Sequence, residues 1–473
     1  MSEKSAKKVS LLKSFLPYYK KYLPMLILDL FCASLTTVCE LVLPMIVREI
    51  TGRATEDFAS LTVSLVLRCG VLYLVLRIID TLANYYMASY GHIMGTKIET
   101  DMRHDFFAHL QKLSFSYYDS AKVGTLMSRI TSDLFDVTEF SHHGPEELFI
   151  SSIKIICSFI ILCGMNVPLT LIVFAAVPPM VISLAIFNRK LKEGFKDSRK
   201  QVGELNSSVE DSLLGIRVVK SFAKEQHEQY KFDKGNEKFL SVKTRVYKIM
   251  GGFQSCTRLF DGLMYIIVVV AGALFLINGD ITAADYVAYL MFVTTLTTSI
   301  RRIVEFAEQF QRGMTGIERF AEIMAIEPDI KDSANAMSLK DVRGNVRFND
   351  VAFRYEEGDK DVLSHLSLDV KAGESIALVG PSGGGKTTLC SLIPRFYEVK
   401  SGTITVDGTD IKDVTLSSLR ANIGVVQQDV YLFSGSVRDN IAYGRADATD
   451  EEIREAARLA GADEFIEIGR AHV

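Results

Sequence analysis

Apolar residues dominate the first three hundred positions in runs near the length of a membrane crossing, at about 22 to 48, 61 to 91, 146 to 166, 168 to 188, 257 to 278 and 284 to 308. Stretches such as "YIIVVVAGALFLI" and "LTLIVFAAVPPMVISLAIF" lack the polar face that a surface helix of a soluble protein needs, so the runs predict six spanning helices. The first run is too long for a signal-peptide core, contains Asp29 and Glu40, and has no small-residue cleavage site after it; it is expected to stay in the chain. Polar segments 92–145 and 189–255 separate the runs and predict long helical extensions. After "AEIMAIEPDIKDSANAMSL" the pattern changes: a polar linker gives way near Val342 to short alternating stretches, which predict a soluble α/β domain. There "VRFNDVAFRY" reads as a strand pair, "LSLDVKAGE" as a strand and turn, and "ESIALVG" as a strand entering a loop.

Composition agrees with a membrane portion joined to a soluble domain, since 473 residues exceed one ordinary domain and 48% apolar content exceeds the soluble norm. The formal net charge of -4 excludes the broad basic footprint of a nucleic-acid binder. The seven cysteines fall mostly inside apolar stretches, with no C-x-x-C pair, and read as small core residues in a reducing setting. Lysines cluster before the first run (Lys4, Lys7, Lys8, Lys13, Lys20, Lys21), whereas the loop near 279 to 284 has none; the N-terminus is therefore expected in the cytoplasm. With six spans the C-terminal domain falls on the same side. Asp29, Glu40, Arg68, Arg77, Asp80, Lys154, Arg258 and Asp261 lie within or near the runs, and each needs a partner, a wet cavity or an interfacial position. Arg77 and Asp80, three apart, can pair on one helix face.

The most specific chemistry is in "LVGPSGGGKTTLCSLI", which fits G-x-x-x-x-G-K-[ST] with Gly380, Gly385, Lys386 and Thr387. Glycines let consecutive backbone N–H groups turn toward one anion, and the following helix adds its positive end. Lys386 supplies a point charge for the β- and γ-phosphates, and Thr387 offers a hydroxyl to Mg²⁺. Leu389, Leu392, Ile393 and Phe396 repeat at helical spacing behind the loop. The ATP-binding set is Gly380, Ser382, Gly383, Gly384, Gly385, Lys386, Thr387 and Thr388.

Over nearly its whole length the chain resembles the ATP-binding cassette (ABC) transporters, in the exporter type that fuses six spanning helices to one nucleotide-binding domain. "RYEEGDKDVL" is similar to the family's adenine-stacking segment, which assigns Tyr355 to the base; "IGVVQQDVYLFSGSVRDNI" resembles its Q-loop, which implies that Gln428, rather than Gln427, positions water and Mg²⁺. "LQKLSFSYYDSAKVGTLMSRITSD" and "EDSLLGIRVVKSFAKE" resemble the two intracellular coupling regions. The fold class implied is an α-helical six-span membrane domain followed by an α/β P-loop domain: a cytoplasmic segment 1–21, a membrane domain 22–310, a linker 311–341 and a partial cassette 342–467.

The family's glycine-rich signature, strand-end Asp with catalytic Glu, and switch His are expected beyond the last residues given. The final "IGRAHV", 468–473, matches the translation of a sequencing-adapter string, so biological sequence is expected to end near Glu467. The resemblance implies a half-transporter that pairs with itself or a related chain in the plasma membrane. It would use ATP and Mg²⁺ to export a lipid, drug, peptide or other amphiphile. The rival readings are a non-hydrolysing ATP-binding membrane sensor and a membrane-anchored phosphotransferase, the latter without an acceptor site.

Overall fold

The computed structural model describes residues 11–355, 358, 360–427, 431–464 and 466, with 11–14, 307 and 308 described through their backbone. Gln428 and segment 468–473 lie outside the described residues. Two compact units divide at Pro328 and Asp329.

The first unit is helical throughout. Its order is α1 (Leu11–Lys21), α2 (Leu23–Glu56), α3 (Val63–Tyr86), α4 (His92–Leu110), α5 (Phe115–Ser120), α6 (Val123–Ser128), α7 (Leu134–Met165), α8 (Val167–Ala175), α9 (Val177–Leu214), α10 (Ile216–Ser221), α11 (Glu225–Ile277) and α12 (Ala283–Met324). π-Helical turns at Met87–Gly91 and Arg129–Asp133 join α3 to α4 and α6 to α7. Among the described residues, five helical segments are long and apolar enough to cross a membrane: Leu23–Glu56, Val123–Met165, Val167–Leu214, Glu225–Ile277 and Ala283–Met324. The remaining expected span is α3, a helix of 24 residues diluted by Arg68, Arg77 and Asp80; at about 1.5 Å per residue it still matches the roughly 30 Å of hydrocarbon. Its side chains Leu67, Leu74, Ile78 and Leu82 are exposed, as lipid-facing positions are.

The polar extensions are continuations of the spans. α11 has 53 residues, about 80 Å of helix, and its polar half is tied to α9 by Lys238 to Glu204 at 3.0 Å and Arg245 to Asp197 at 3.3 Å. Apolar packing holds the other end together, around Leu162, Leu169, Met180, Leu184, Met264, Phe292 and Leu296. Tyr289 is fully buried there because its hydroxyl is satisfied, lying 2.7 Å from Thr170 Oγ1 and donating to the carbonyls of Leu162 and Asn166. A capping box of Thr282 and Asp285 starts α12, and Arg48 of α2 bonds Asp285 at 2.6 Å.

Several charges in the apolar runs find partners, one of them, Arg77 with Asp80, at the spacing that predicts it. Arg77 donates to Asp80 at 2.8 Å, and Lys154 of α7 reaches across to Glu40 of α2. Asp261 lies 3.9 Å from Arg301. Asp29 is buried with neither carboxylate oxygen hydrogen-bonded among the described residues.

α12 runs past the expected boundary at 310 to Met324, because Ile317, Phe320 and Ile323 keep one apolar face buried against α4 and α7. The linker is therefore shorter than the polarity of 311–341 predicts. Its last part is sewn into the second unit: Met337 N–H donates to Asp413 O at 2.8 Å, and Thr415 N–H donates back to Met337 O at 2.9 Å.

The second unit contains a four-stranded sheet, β1 (Val346–Phe353), β2 (Leu363–Val370), β3 (Ser401–Val406) and β4 (Thr409–Asp410), in the order β2-β1-β3-β4 with every pair antiparallel. "VRFNDVAFRY" forms one bulged strand, not the expected pair. Asp350 sits at φ +49, the register slips between Phe348 and Val351, and both of those residues thereby face the core. Gly402 allows this bulge: a Cβ there would lie 2.4 Å from Asp350 O. "ESIALVG" and "IGVVQ" are not strands in the structure; Val379 is 94% and Val426 99% exposed. An apolar run becomes a strand only where a ladder partner exists, and none of the four strands pairs with either segment. Helices α13 (Lys386–Leu392), α14 (Leu416–Ala421), α15 (Val437–Ile441) and α16 (Asp450–Leu459) complete the unit.

Candidate functional site

The loop 380–385 leads directly into α13. Gly383 and Gly385 both adopt φ +80, a left-handed conformation that a side chain disfavours, and open space surrounds the Cβ positions of Gly380 and Gly383. On the other side a Cβ at Gly385 would meet Leu363 Cδ2 at 2.9 Å, so the loop is pressed onto β2 and open outward. Ser382 lies on the exposed arch with Gly383 and Gly384.

Lys386 opens α13 and folds its ammonium back across the arch, donating to Gly380 O at 2.8 Å and Pro381 O at 2.7 Å. The cation is thus fixed inside the turn of backbone while two of its protons are held by neutral carbonyls that an anion can replace. Thr387 is exposed, its hydroxyl at the mouth of the loop, whereas Thr388 is buried and bonded 3.0 Å from the Tyr355 hydroxyl. Leu389 and Leu392 anchor α13 in the core with Phe348, Val351, Phe353 and Ile404. A glycine arch with free Cβ space, a captive ammonium and an accessible hydroxyl fit a polyphosphate chain.

Tyr355 lies close to this loop, as the resemblance implies, but its ring is engaged. It meets Phe353 edge-on at 4.9 Å and Tyr397 edge-on at 5.2 Å. Gln427 is exposed, and Gln428 falls outside the described residues. The Pro381 carbonyl, Thr388 as the partner of Tyr355, and Val362 and Leu363 as the floor beneath Gly385 were not legible in the sequence. The Tyr355 bond and the floor depend on contacts across the fold, whereas the Pro381 carbonyl is local but is not specified by the motif; the two hydrophobic floor residues carry no local signal.

A second concavity lies within the first unit, a recess of about 360 Å³ between α2, α3 and α12. Glu40, Tyr73, Arg77, Thr294 and Thr295 line it, so two of the ionisable residues of the apolar runs face a cavity of small-molecule size.

A helical membrane unit followed by a P-loop unit is the architecture of a membrane transporter powered by nucleotide. Residues 26–300 match the ABC transporter transmembrane region and residues 363–469 match the ABC transporter nucleotide-binding family. The chain belongs to the ABC transporters and is an integral membrane protein with an ATP-binding domain. It is 40% identical over 459 residues to the ABC transporter ATP-binding protein YwjA of Bacillus subtilis, covering 96% of this chain and 79% of that one. A putative multidrug export ATP-binding/permease protein of the same organism is 32% identical, over 95% of this chain and 77% of its own length. An ATP-dependent lipid A-core flippase of Desulfotalea psychrophila is 35% identical over 79% of this chain and 65% of its own length.

Proposed function

We propose that this protein is one half of an ATP-driven exporter that moves an amphiphile across the plasma membrane, working as a dimer with itself or with a related chain. The observation that carries the reading is the union, in one polypeptide, of spanning helices with long polar extensions and a phosphate-binding arch. Relatives whose names specify multidrug export and lipid A-core flipping support export and an amphiphilic cargo.

When bound, ATP supplies the free energy for the transport cycle. The chain's residues do the rest: the Gly380–Gly385 arch presents backbone N–H groups, and Lys386 exchanges its two carbonyl contacts for phosphate oxygens. Thr387, with Gln428, is assigned to Mg²⁺. Tyr355 presents its ring toward the base. In the membrane unit the recess lined by Glu40, Tyr73 and Arg77 offers both charge signs beside apolar walls, which suits a cargo with a polar head and an apolar body. The N-terminus and the nucleotide domain are assigned to the cytoplasm from the lysine distribution.

The test is flux in proteoliposomes that hold the intact protein, its cassette complete with signature, catalytic Glu and switch His, and that are loaded with a fluorescent amphiphile. ATP-dependent flux is expected, with Lys386→Ala abolishing it and lowering ATP hydrolysis by at least about a hundredfold, the order of loss when a key electrostatic contact is removed. Undiminished flux in Lys386→Ala overturns the reading. Nucleotide-induced movement without hydrolysis or flux in the parent protein would instead identify a sensor.

A further inference from the structure

His92, His142 and His143 come together in the first unit, with their candidate ligand nitrogens within 4.8 Å of one another. His92 is the first residue of α4, directly after the π-helical turn Met87–Gly91; His142 and His143 are adjacent on α7. The rings pack closely, with centroids 4.3 Å apart for His92 and His142 and 4.1 Å apart for His142 and His143. Nothing in the nucleotide site or the Glu40 recess uses these residues.

One of the imidazoles is held as metal-ligating imidazoles are. Nδ1 of His142 lies 2.8 Å from the Thr138 carbonyl, an acceptor, so Nδ1 carries the proton and Nε2 presents its lone pair. His142 is only 1% exposed, and this Nε2 has no hydrogen-bond partner among the described residues. Glu139 lies 3.8 Å from Nε2 of His143, a carboxylate at the edge of the cluster.

Asp29 on α2 is the independent observation. It is 1% exposed and both its oxygens are without hydrogen-bond partners among the described residues. Its Oδ1 would lie 3.2 Å from a Cβ at Gly91, the residue before His92, so the glycine makes room for the carboxylate on that side of the cluster. A cation held by the histidines would satisfy the buried lone pair of His142 and offset the buried charge of Asp29.

We propose that His92, His142 and His143 form a site for a divalent transition-metal ion of the zinc class, with the buried Asp29 carboxylate as the negative charge nearby. Three imidazole nitrogens, with water in the fourth position, make a tetrahedral set for Zn²⁺, whereas Mg²⁺ and Ca²⁺ prefer sets made of oxygen. Nitrogens of a tetrahedral zinc site stand about 3.4 Å apart, so closing the cluster on an ion moves each ring by about 1 Å. The ion would join α4 to α7 through one point.

The experiment uses the detergent-purified full chain, stripped of metal and free of nucleotide, so its outcome is independent of the export reading. Zn²⁺ is titrated against a chromophoric chelator, and Co²⁺ serves as an optical probe of coordination. One Zn²⁺ per chain is expected, together with the intense visible absorption of tetrahedral Co²⁺. His92→Gln changes an exposed residue and should leave the fold intact while removing the Co²⁺ signature. His143→Gln should do the same, and Asp29→Asn, which removes the nearby charge, should weaken Zn²⁺ binding while keeping the Co²⁺ signature. The absence of stoichiometric binding overturns the proposal, and so does binding that is unchanged in His92→Gln and His143→Gln.

Discussion

Tyr355 is claimed by two interactions at once. Its hydroxyl bonds Thr388 in the helix behind the phosphate loop, and its ring packs against Phe353 and Tyr397. If the ring also stacks on the base of ATP, the hydroxyl is dispensable for binding and the aromatic face is not. Tyr355→Phe is expected to retain ATP affinity within about threefold, whereas Tyr355→Ala loses about three- to tenfold, the value of one aromatic contact. Titration with a fluorescent ATP analogue checks this, and equal affinity for the two variants would count against stacking. At this scale the site was partly legible. Lys386 announces itself because its motif is local and its neighbours in sequence are its neighbours in space. The Tyr355 to Thr388 bond spans thirty-three positions and has no sequence signature.

Among the elements, the packing of α12 on α7 is set by glycine. A Cβ at Gly316 would stand 2.6 Å from the Asp133 carbonyl oxygen and 2.8 Å from Val137 Cγ2, and one at Gly313 would stand 2.3 Å from Phe140 Cβ. Arg319, one turn on from Gly316, bonds Asp133 at 3.0 Å and sets the rotation of the helix. Gly316→Ala therefore pushes the two helices apart, and a loss of about 1–3 kcal/mol is expected. A lowered unfolding temperature in detergent is the readout, and unchanged stability would show that the close approach is unnecessary. The lengths of α9 and α11 were largely legible, because spans and polar extensions are continuous helical sequence. The strand that the pattern predicts at "ESIALVG" is missing for one reason: a strand exists only by pairing with residues elsewhere.

The whole molecule divides between two solvents, lipid for the first unit and water for the second, and acid should act on the second through identifiable groups. Asp407, at the β3–β4 hairpin turn with Gly408, accepts hydrogen bonds from the backbone N–H groups of Arg343, Gly344 and Asn345 and from the Asn345 side chain. These contacts hold its carboxyl down at about 2, from an ordinary value of 3.8. A depressed folded value means that the contribution to stability is fully present above about pH 4 and disappears as pH falls through about 2. Asp407→Asn should cost about 1 kcal/mol at neutral pH and flatten the loss of stability between those limits. Thermal unfolding followed by circular dichroism across that range measures both, and an unaltered acid profile would refute the assignment. By itself the sequence determined the spans, the order of the units, the phosphate arch and the family, because helical periodicity, hydropathy and the glycine-lysine motif are all encoded between near neighbours. Only the tertiary structure decided the bulge in β1, the reach of α12, the pairing of Lys154 with Glu40 and the meeting of His92 with His142 and His143. Those depend on which distant residues share a face, and that information resides in packing.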